Sequence, residues 1–228
     1  MSYYNNNLLS NIGLNTLTFS DPYAKLCFNS MIISQYYYNC QRQQKKIIYI
    51  DLDTTFTAYL RARLLSLVKE TASEGKDASI VCAYLPTEGT FESILKHVIH
   101  SMSDSLMVIF DSVNSFYNMY YNKIINIDSS GRGRIGRLNH LLSIFLMLLV
   151  KNGMHLNIPV LVTSMIRYKM KDGEWRMSLT SKRILQKNSV VNLHAEMLNN
   201  NNLSVKITQH PTIITPQTLI FNNQAIKV

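Results

Sequence analysis

Glycine is scarce in this 228-residue chain: there are eight, and none lies between Gly13 and Gly75. A loop that wraps a phosphate needs glycine, because backbone N–H groups must converge where a Cβ would stand in the way. Cysteine is scarcer still. Cys27, Cys40 and Cys82 are odd in number and widely spaced, spelling neither a CxxC nor a zinc pattern. They are expected to be reduced thiols of an intracellular protein. The longest apolar stretch, Leu141–Val150, broken only by Ser143, is ten residues, half of the roughly twenty that cross a bilayer. The opening MSYYNNNLLS has neither the basic region nor the apolar stretch of a secretion signal. Acidic residues are few, 14 against 23 Lys plus Arg. With 46% hydrophobic and only 16% charged residues, a wholly disordered chain is excluded.

The net charge of +9 is concentrated. Residues 121–137 and 167–183 together carry +7 of it. Such clustering points to a polyanion, most simply nucleic acid, with two solvated loops as the plain alternative. The second cluster mixes its cations with Tyr168 and Trp175, the only tryptophan. Cations track phosphates and aromatic faces stack bases; alternatively Trp175 plugs the edge of the core.

Apolar, β-rich runs recur at Thr16–Ser20, Lys46–Leu52, Ser79–Leu85, Leu106–Asp111 and Pro159–Thr163. Between them, Lys25–Tyr38, Thr55–Thr71, Phe91–Met102 and Ile135–Asn152 read as helices. The alternation predicts an α/β fold with a mostly parallel sheet flanked by helices. Short strands at Val190–Leu198, Leu203–Thr208 and Thr218–Phe221 predict antiparallel hairpins at one edge. The expected organisation is a flexible arm over 1–11 and one domain over 12–228.

Candidate chemistry gathers at the ends of these strands. Asp111 ends an apolar strand where a parallel sheet presents its ligand crevice, as a magnesium-binding acid would; it could equally cap the next turn. Asp51 and Asp53 alternate onto one face, as a metal or water-activating pair or as caps for the helix that follows. The segment Ser20-Asp21-Pro22-Tyr23-Ala24-Lys25-Leu26 follows the first strand, where a phosphate loop would lie. It has no glycine, Asp21 repels phosphate, and Leu26 stands where a hydroxyl would bind magnesium, so Lys25 alone survives. Gly131-Arg-Gly133-Arg-Ile-Gly136 matches GxGxxG, but follows Asp128-Ser-Ser instead of a strand, and no acid follows at the dinucleotide spacing. These glycines are expected to loosen an arginine-rich loop. His97 and His100 lack a third ligand nearby, so no metal site is expected.

In their order, these elements resemble the core of the RecA/RadA recombinases, over roughly residues 12–228. GLNTLTFSDPYAK stands at the family's strand and phosphate loop, and IYIDLDTTF looks like its IDTEGTF, with Asp53 at the catalytic glutamate position. LMVIFDSV resembles the magnesium-binding strand ending in Asp111. The stretch GRGRIGRLNHLLSIFLMLLVKNGMHLNIPVLVTSMI is similar to the loop, helix and strand that lead to VLVTNQV. GEWRMSLTSKRIL is similar to a segment of the D-type eukaryotic recombinase paralogues, including the D-like subunit of Shu-type complexes; archaeal RadB is next. Met165 replaces a γ-phosphate-sensing glutamine and Thr54 replaces a glycine.

The resemblance implies a noncatalytic paralogue with a vestigial nucleotide site at Lys25, Asp53 and Asp111 and no cofactor. It would bind single-stranded or junction DNA without sequence preference, and would join other recombinase paralogues in a hetero-oligomer that assists the recombinase filament. The implied DNA-binding residues are Arg132, Arg134, Arg137, Arg167, Tyr168, Lys169, Lys171, Trp175, Arg176, Lys182 and Arg183. A nucleus is expected, with an archaeal cytoplasm as the alternative. Two other functions stay open: an assembly adaptor without DNA binding of its own, and a weak DNA-dependent ATPase using Lys25, Asp53 and Asp111.

Overall fold

Strands and helices alternate from the first strand onward in the computed structural model, which describes residues 8–62, 81–84, 91–125, 131–199 and 202–222. In chain order they are β1 (Leu14–Phe19), α1 (Pro22–Gln43), β2 (Lys46–Asp51), α2 (Thr55–Arg61), β3 (Val81–Tyr84) and α3 (Phe91–Ser101). After a short 3-10 turn come β4 (Ser105–Asp111), α4 (Val113–Ile125), α5 (Gly131–Leu156), β5 (Val160–Lys171) and β6 (Glu174–Leu179). The chain continues through α6 (Lys182–Asn188), β7 (Ser189–Asn199), β8 (Asn202–Gln209) and β9 (Gln217–Asn222).

One sheet runs in the order β3-β2-β4-β5-β1-β7-β8-β9. Neighbours from β3 through β7 are parallel, and β8 and β9 add antiparallel. The central strands β2 and β4 have no polar face because both faces are covered, whereas β7 alternates and keeps one through Asn192, His194 and Glu196. Ile47, Tyr49, Met107 and Ile109 pack toward α1 with Phe28, Ile32 and Ile33. Their neighbours Ile48, Ile50, Val108 and Phe110 pack oppositely, against Val98 of α3, Phe116 of α4 and Leu142 and Phe145 of α5. Close approach matters at Gly153 of α5, where a Cβ would come within 2.9 Å of the Ile158 carbonyl oxygen.

The α/β architecture and the antiparallel C-terminal strands are as the sequence predicts, with instructive differences. β7 also pairs parallel with β1, so the antiparallel addition starts at β8. α1 begins at Pro22, three residues early, because proline's fixed φ suits the first helical position. Of the helix predicted over 55–71, residues 55–61 are helical, and 63–71 lie outside the described residues. The supposed arginine-rich loop is shorter than expected, since α5 starts at Gly131 and takes Arg132 and Arg134 into its first turn. Packing also begins before residue 12: Leu8 and Leu9 are buried, and the Ser10 N–H donates to Asn15 Oδ1 at 2.7 Å. Residues 1–7 of the expected arm lie outside the described residues.

The largest difference follows Thr163. β5 does not stop there. Beyond Met165 it leaves the sheet and pairs antiparallel with β6 alone, Ile166 opposite Leu179 out to Lys171 opposite Glu174. The turn is Asp172-Gly173, both at positive φ (54° and 78°), which is the pattern of a two-residue type I′ hairpin. The basic segment is thus a β-ribbon and not a loop.

Candidate functional site

Two places on this frame carry chemistry: the C-terminal ends of β1, β2, β4 and β5, and the ribbon that grows from β5.

At the first, only Ser20 and Asp21 separate β1 from α1. Asp21 Oδ1 accepts the Tyr23 N–H at 2.9 Å, so the chain's own carboxylate serves the start of the helix. One turn in, Lys25 is 2% exposed. Its Nζ lies 2.9 Å from Asp111 Oδ2 and 3.2 Å from Asp53 Oδ2. Burial by itself would lower its pKa, but the two carboxylates outweigh that and the net shift is upward. Leu26 is buried beside it.

Asp111 is fully buried and surrounded by donors. Besides Lys25, the Tyr49 hydroxyl donates to Oδ2 at 2.5 Å and the Thr163 hydroxyl donates to Oδ1 at 2.6 Å. Tyr49 is fixed in turn by the Asn29 side-chain amide, which donates to its hydroxyl at 2.8 Å, and by stacking on Phe56 at 4.1 Å. Burial, reinforced by the Asp111 charge, pushes the Tyr49 pKa well up.

Asp51 and Asp53 cap the helix that follows and also lie together with Asp111. As caps, Asp51 Oδ2 accepts the Thr57 N–H at 2.7 Å and Asp53 Oδ1 accepts the Thr55 N–H at 3.0 Å. As a cluster, Asp51, Asp53 and Asp111 each bring a carboxylate oxygen within 4.8 Å of the others. Lys25 is the cation placed among them. Burial pushes Asp51 up to about 6. Burial also acts upward on Asp53, but the Lys25 charge and the Thr55 hydrogen bonds hold it below the usual range. Thr54, between Asp53 and the helix start at Thr55, sits at φ 60°, a left-handed conformation that strains a β-branched residue.

At the second place, strand alternation gives the ribbon two unlike faces. Tyr168, Met170 and Trp175 share one face, with Met170 directly opposite Trp175. They are 59%, 60% and 67% exposed, so Trp175 does not plug the core. Arg167 and Arg176 take the alternate positions, and position 169 pairs with 176. Arg176 makes an exposed ion pair with Glu174 at 3.2 Å. Lys182 and Arg183 are exposed on α6, at the foot of the ribbon. Arg137 is exposed on α5, and no acid stands in that helix's first turn. The side chains of Arg132, Arg134, Lys169 and Lys171 lie outside the described residues.

A model of the Rad51 family matches residues 18–219. The chain belongs to the Rad51 family. Its fold is similar to that of the RadB recombinase in a crystal structure of that protein, with a TM-score of 0.58 over 94% of this chain and 88% of that one. At 14% identity this likeness is one of fold. None of the curated proteins matches the sequence. Membership of the Rad51 family carries a role in recombination and, in general terms, dealings with DNA and recombinase partners.

The structure thus brings Lys25, Asp53 and Asp111 together as expected. It adds Tyr49 and Thr163, which the sequence reading passed over. A tyrosine inside the strand KIIYID was the available signal, because a buried phenol needs a partner.

Proposed function

We propose that this Rad51-family chain is a noncatalytic paralogue that binds DNA as one subunit of a hetero-oligomer and assists recombinase assembly. The observation that carries the reading is Lys25, buried and ion-paired to both Asp111 and Asp53. Magnesium nucleotide is the family's cofactor, and these residues do not fit it. A two-residue link cannot encircle a phosphate, Asp21 already serves the helix start, and Leu26 offers no hydroxyl. Three donors already surround the Asp111 carboxylate, whose oxygens a magnesium ion would need.

DNA contact would fall to the ribbon and to the start of α5. The two unlike faces favour a junction. A single strand whose bases stack on Tyr168 and Trp175 turns its phosphates away from the ribbon. Arg167 and Arg176, on the reverse face, would then meet a second strand. A D-type paralogue in a Shu-type complex of a eukaryotic nucleus is the assignment we favour, from GEWRMSLTSKRIL.

Fluorescence anisotropy of labelled single-stranded and forked DNA over a salt series tests the proposal. Affinity should fall steeply with salt, and neutralising Arg132, Arg134, Lys169 and Lys171 should flatten the slope by about 0.7 per lost phosphate contact. Absence of binding at low salt, or magnesium-dependent ATP turnover lost on Lys25→Ala, would overturn it. The adaptor reading has its own support in an apolar groove of about 560 Å³ between the start of β1 and α5. Ile12, Met147 and Met154 line it and are 62%, 60% and 51% exposed.

A further inference from the structure

The ribbon is tied down at its root. Asn114, in the first turn of α4, is only 6% exposed. Its Oδ1 accepts the Met165 N–H at 2.7 Å, where β5 leaves the sheet, and its Nδ2 donates to the Thr180 hydroxyl at 2.8 Å, where β6 ends. One amide therefore bridges both strands of the ribbon at their base. One turn on, the Tyr117 hydroxyl bonds the Ser181 hydroxyl at 2.5 Å and donates to Asn139 of α5. Asn114 and Tyr117 stand on one helix, so the ribbon's exit angle is referred to α4.

The same turn of α4 faces the buried ion cluster. The Ser115 hydroxyl donates to Asp53 Oδ2 at 3.2 Å and bonds Ser112 Oγ at 2.8 Å. Asp53 is in turn held by Lys25. A continuous set of polar contacts thus runs from Lys25 through Asp53 and Ser115 to the turn that carries Asn114. At Met165 a thioether stands where the resemblance places a glutamine that senses phosphate. A thioether is a weak acceptor and no donor, so the Met165 side chain cannot read a phosphate. Its backbone N–H is instead taken by Asn114.

We infer that Asn114 and Tyr117 are positioning residues that clamp the root of the β5–β6 ribbon in one orientation, and that this makes the ribbon's readiness for its ligand independent of nucleotide. The inference rests on the ribbon's being the DNA contact only for its functional consequence; the clamp itself is testable without DNA. A clamp of this kind acts on the fraction of time the ribbon spends in its binding orientation, and apparent affinity scales with that fraction.

Trp175 is the only tryptophan and lies on the ribbon, so time-resolved fluorescence anisotropy of the full chain reads the ribbon's motion directly. In the wild type the amplitude of nanosecond motion should be small and should not change on adding magnesium ATP. Asn114→Ala should raise that amplitude about twofold, as expected for a segment passing from packed to loop-like motion. Thr180→Val removes only the hydroxyl that Asn114 reaches, and Ser181→Ala only the one that Tyr117 reaches. Both should raise the amplitude while the melting temperature and circular dichroism stay near wild type, so the inference remains testable if Asn114→Ala does not fold. If the released ribbon keeps its binding orientation about a tenth of the time, affinity for forked DNA falls about tenfold.

An unchanged Trp175 decay in the folded Thr180→Val and Ser181→Ala variants would overturn the clamp. A wild-type decay altered by magnesium ATP would overturn its independence of nucleotide. A ribbon released by these variants in a chain that binds no DNA at all would leave the clamp standing and sink the DNA reading instead.

Discussion

Replacing Lys25 by methionine removes one positive charge from a centre that holds three carboxylates. At an effective dielectric constant of about 20, a pair at the 2.9 Å separation of Lys25 and Asp111 attracts by about 6 kcal/mol. The pair with Asp53 adds less, because Asp53 is 30% exposed and water screens it. Against this stands the cost of keeping an ammonium out of water, several kcal/mol. The variant leaves Asp111 buried beside two other carboxylates, with the Tyr49 and Thr163 hydroxyls as its remaining side-chain donors among the described residues. Breaking a buried pair from one side costs about 3–5 kcal/mol, a large share of a domain's total stability. Urea denaturation of Lys25→Met should show a loss of that size with an unchanged dependence on denaturant. The double variant Lys25→Met/Asp111→Asn should recover much of it, since the orphaned charge is gone. In an open nucleotide site the same lysine would be wet, and its replacement would cost turnover and little stability. A loss under about 1 kcal/mol, within the range of ordinary substitutions, would refute the reasoning; so would a double variant no more stable than the single one.

Further outcomes follow from the same region and from the ribbon. Burial holds Asp51 at about 6, so the folded chain keeps a proton that the unfolded chain releases nearer pH 4, and stability falls as pH rises between the two. Asp51→Asn keeps an acceptor for the Thr57 N–H but does not titrate. Its advantage over the wild type in urea should therefore grow by about 2–3 kcal/mol from pH 4 to pH 7, and a pH-independent difference would contradict this. Thr54→Gly relieves the φ of 60° and should stabilise by about 1 kcal/mol after the glycine's greater unfolded freedom is subtracted. Calorimetry should then find a melting temperature about 2–4 °C higher, whereas a lower one would show that the conformation is unstrained. Trp175→Ala should leave stability within about 0.5 kcal/mol, because the ring is exposed. It should weaken single-strand binding by about 1–3 kcal/mol without changing the salt slope, since no charge is lost; a flatter slope in anisotropy would assign Trp175 a different role.

Much of this was legible along the chain. Lys46–Leu52 and Leu106–Asp111 read as strands because helices cover both faces, leaving no polar alternation to blur the pattern. Asp111 and Asp53 stood out because parallel strands bring their last residues to one edge. The ribbon is legible in principle but masked by its composition. Asp172-Gly173 is a strong local hairpin signal, but the density of cations around it reads as a solvated loop. The start of α5 is hidden for a related reason: glycines and arginines at 131–134 have no apolar periodicity to announce a helix.

The information that can be read along the chain is therefore local and additive. It establishes the alternation of strands and helices, though not α4, β6 or α6, the loss of glycine from the first strand's loop, and the two stretches that hold the positive charge. Each depends on residues adjacent in the chain or one helical turn apart. The role of Lys25 is set by the folded sheet. Its partners lie 28 and 86 positions away, at the ends of different strands, and burial depends on everything packed above them. The same holds for Asn114, which reaches Met165 and Thr180 across 51 and 66 positions. Whether a lone lysine is open to a ligand or closed on its own acids depends on distances between segments that only the folded sheet brings together.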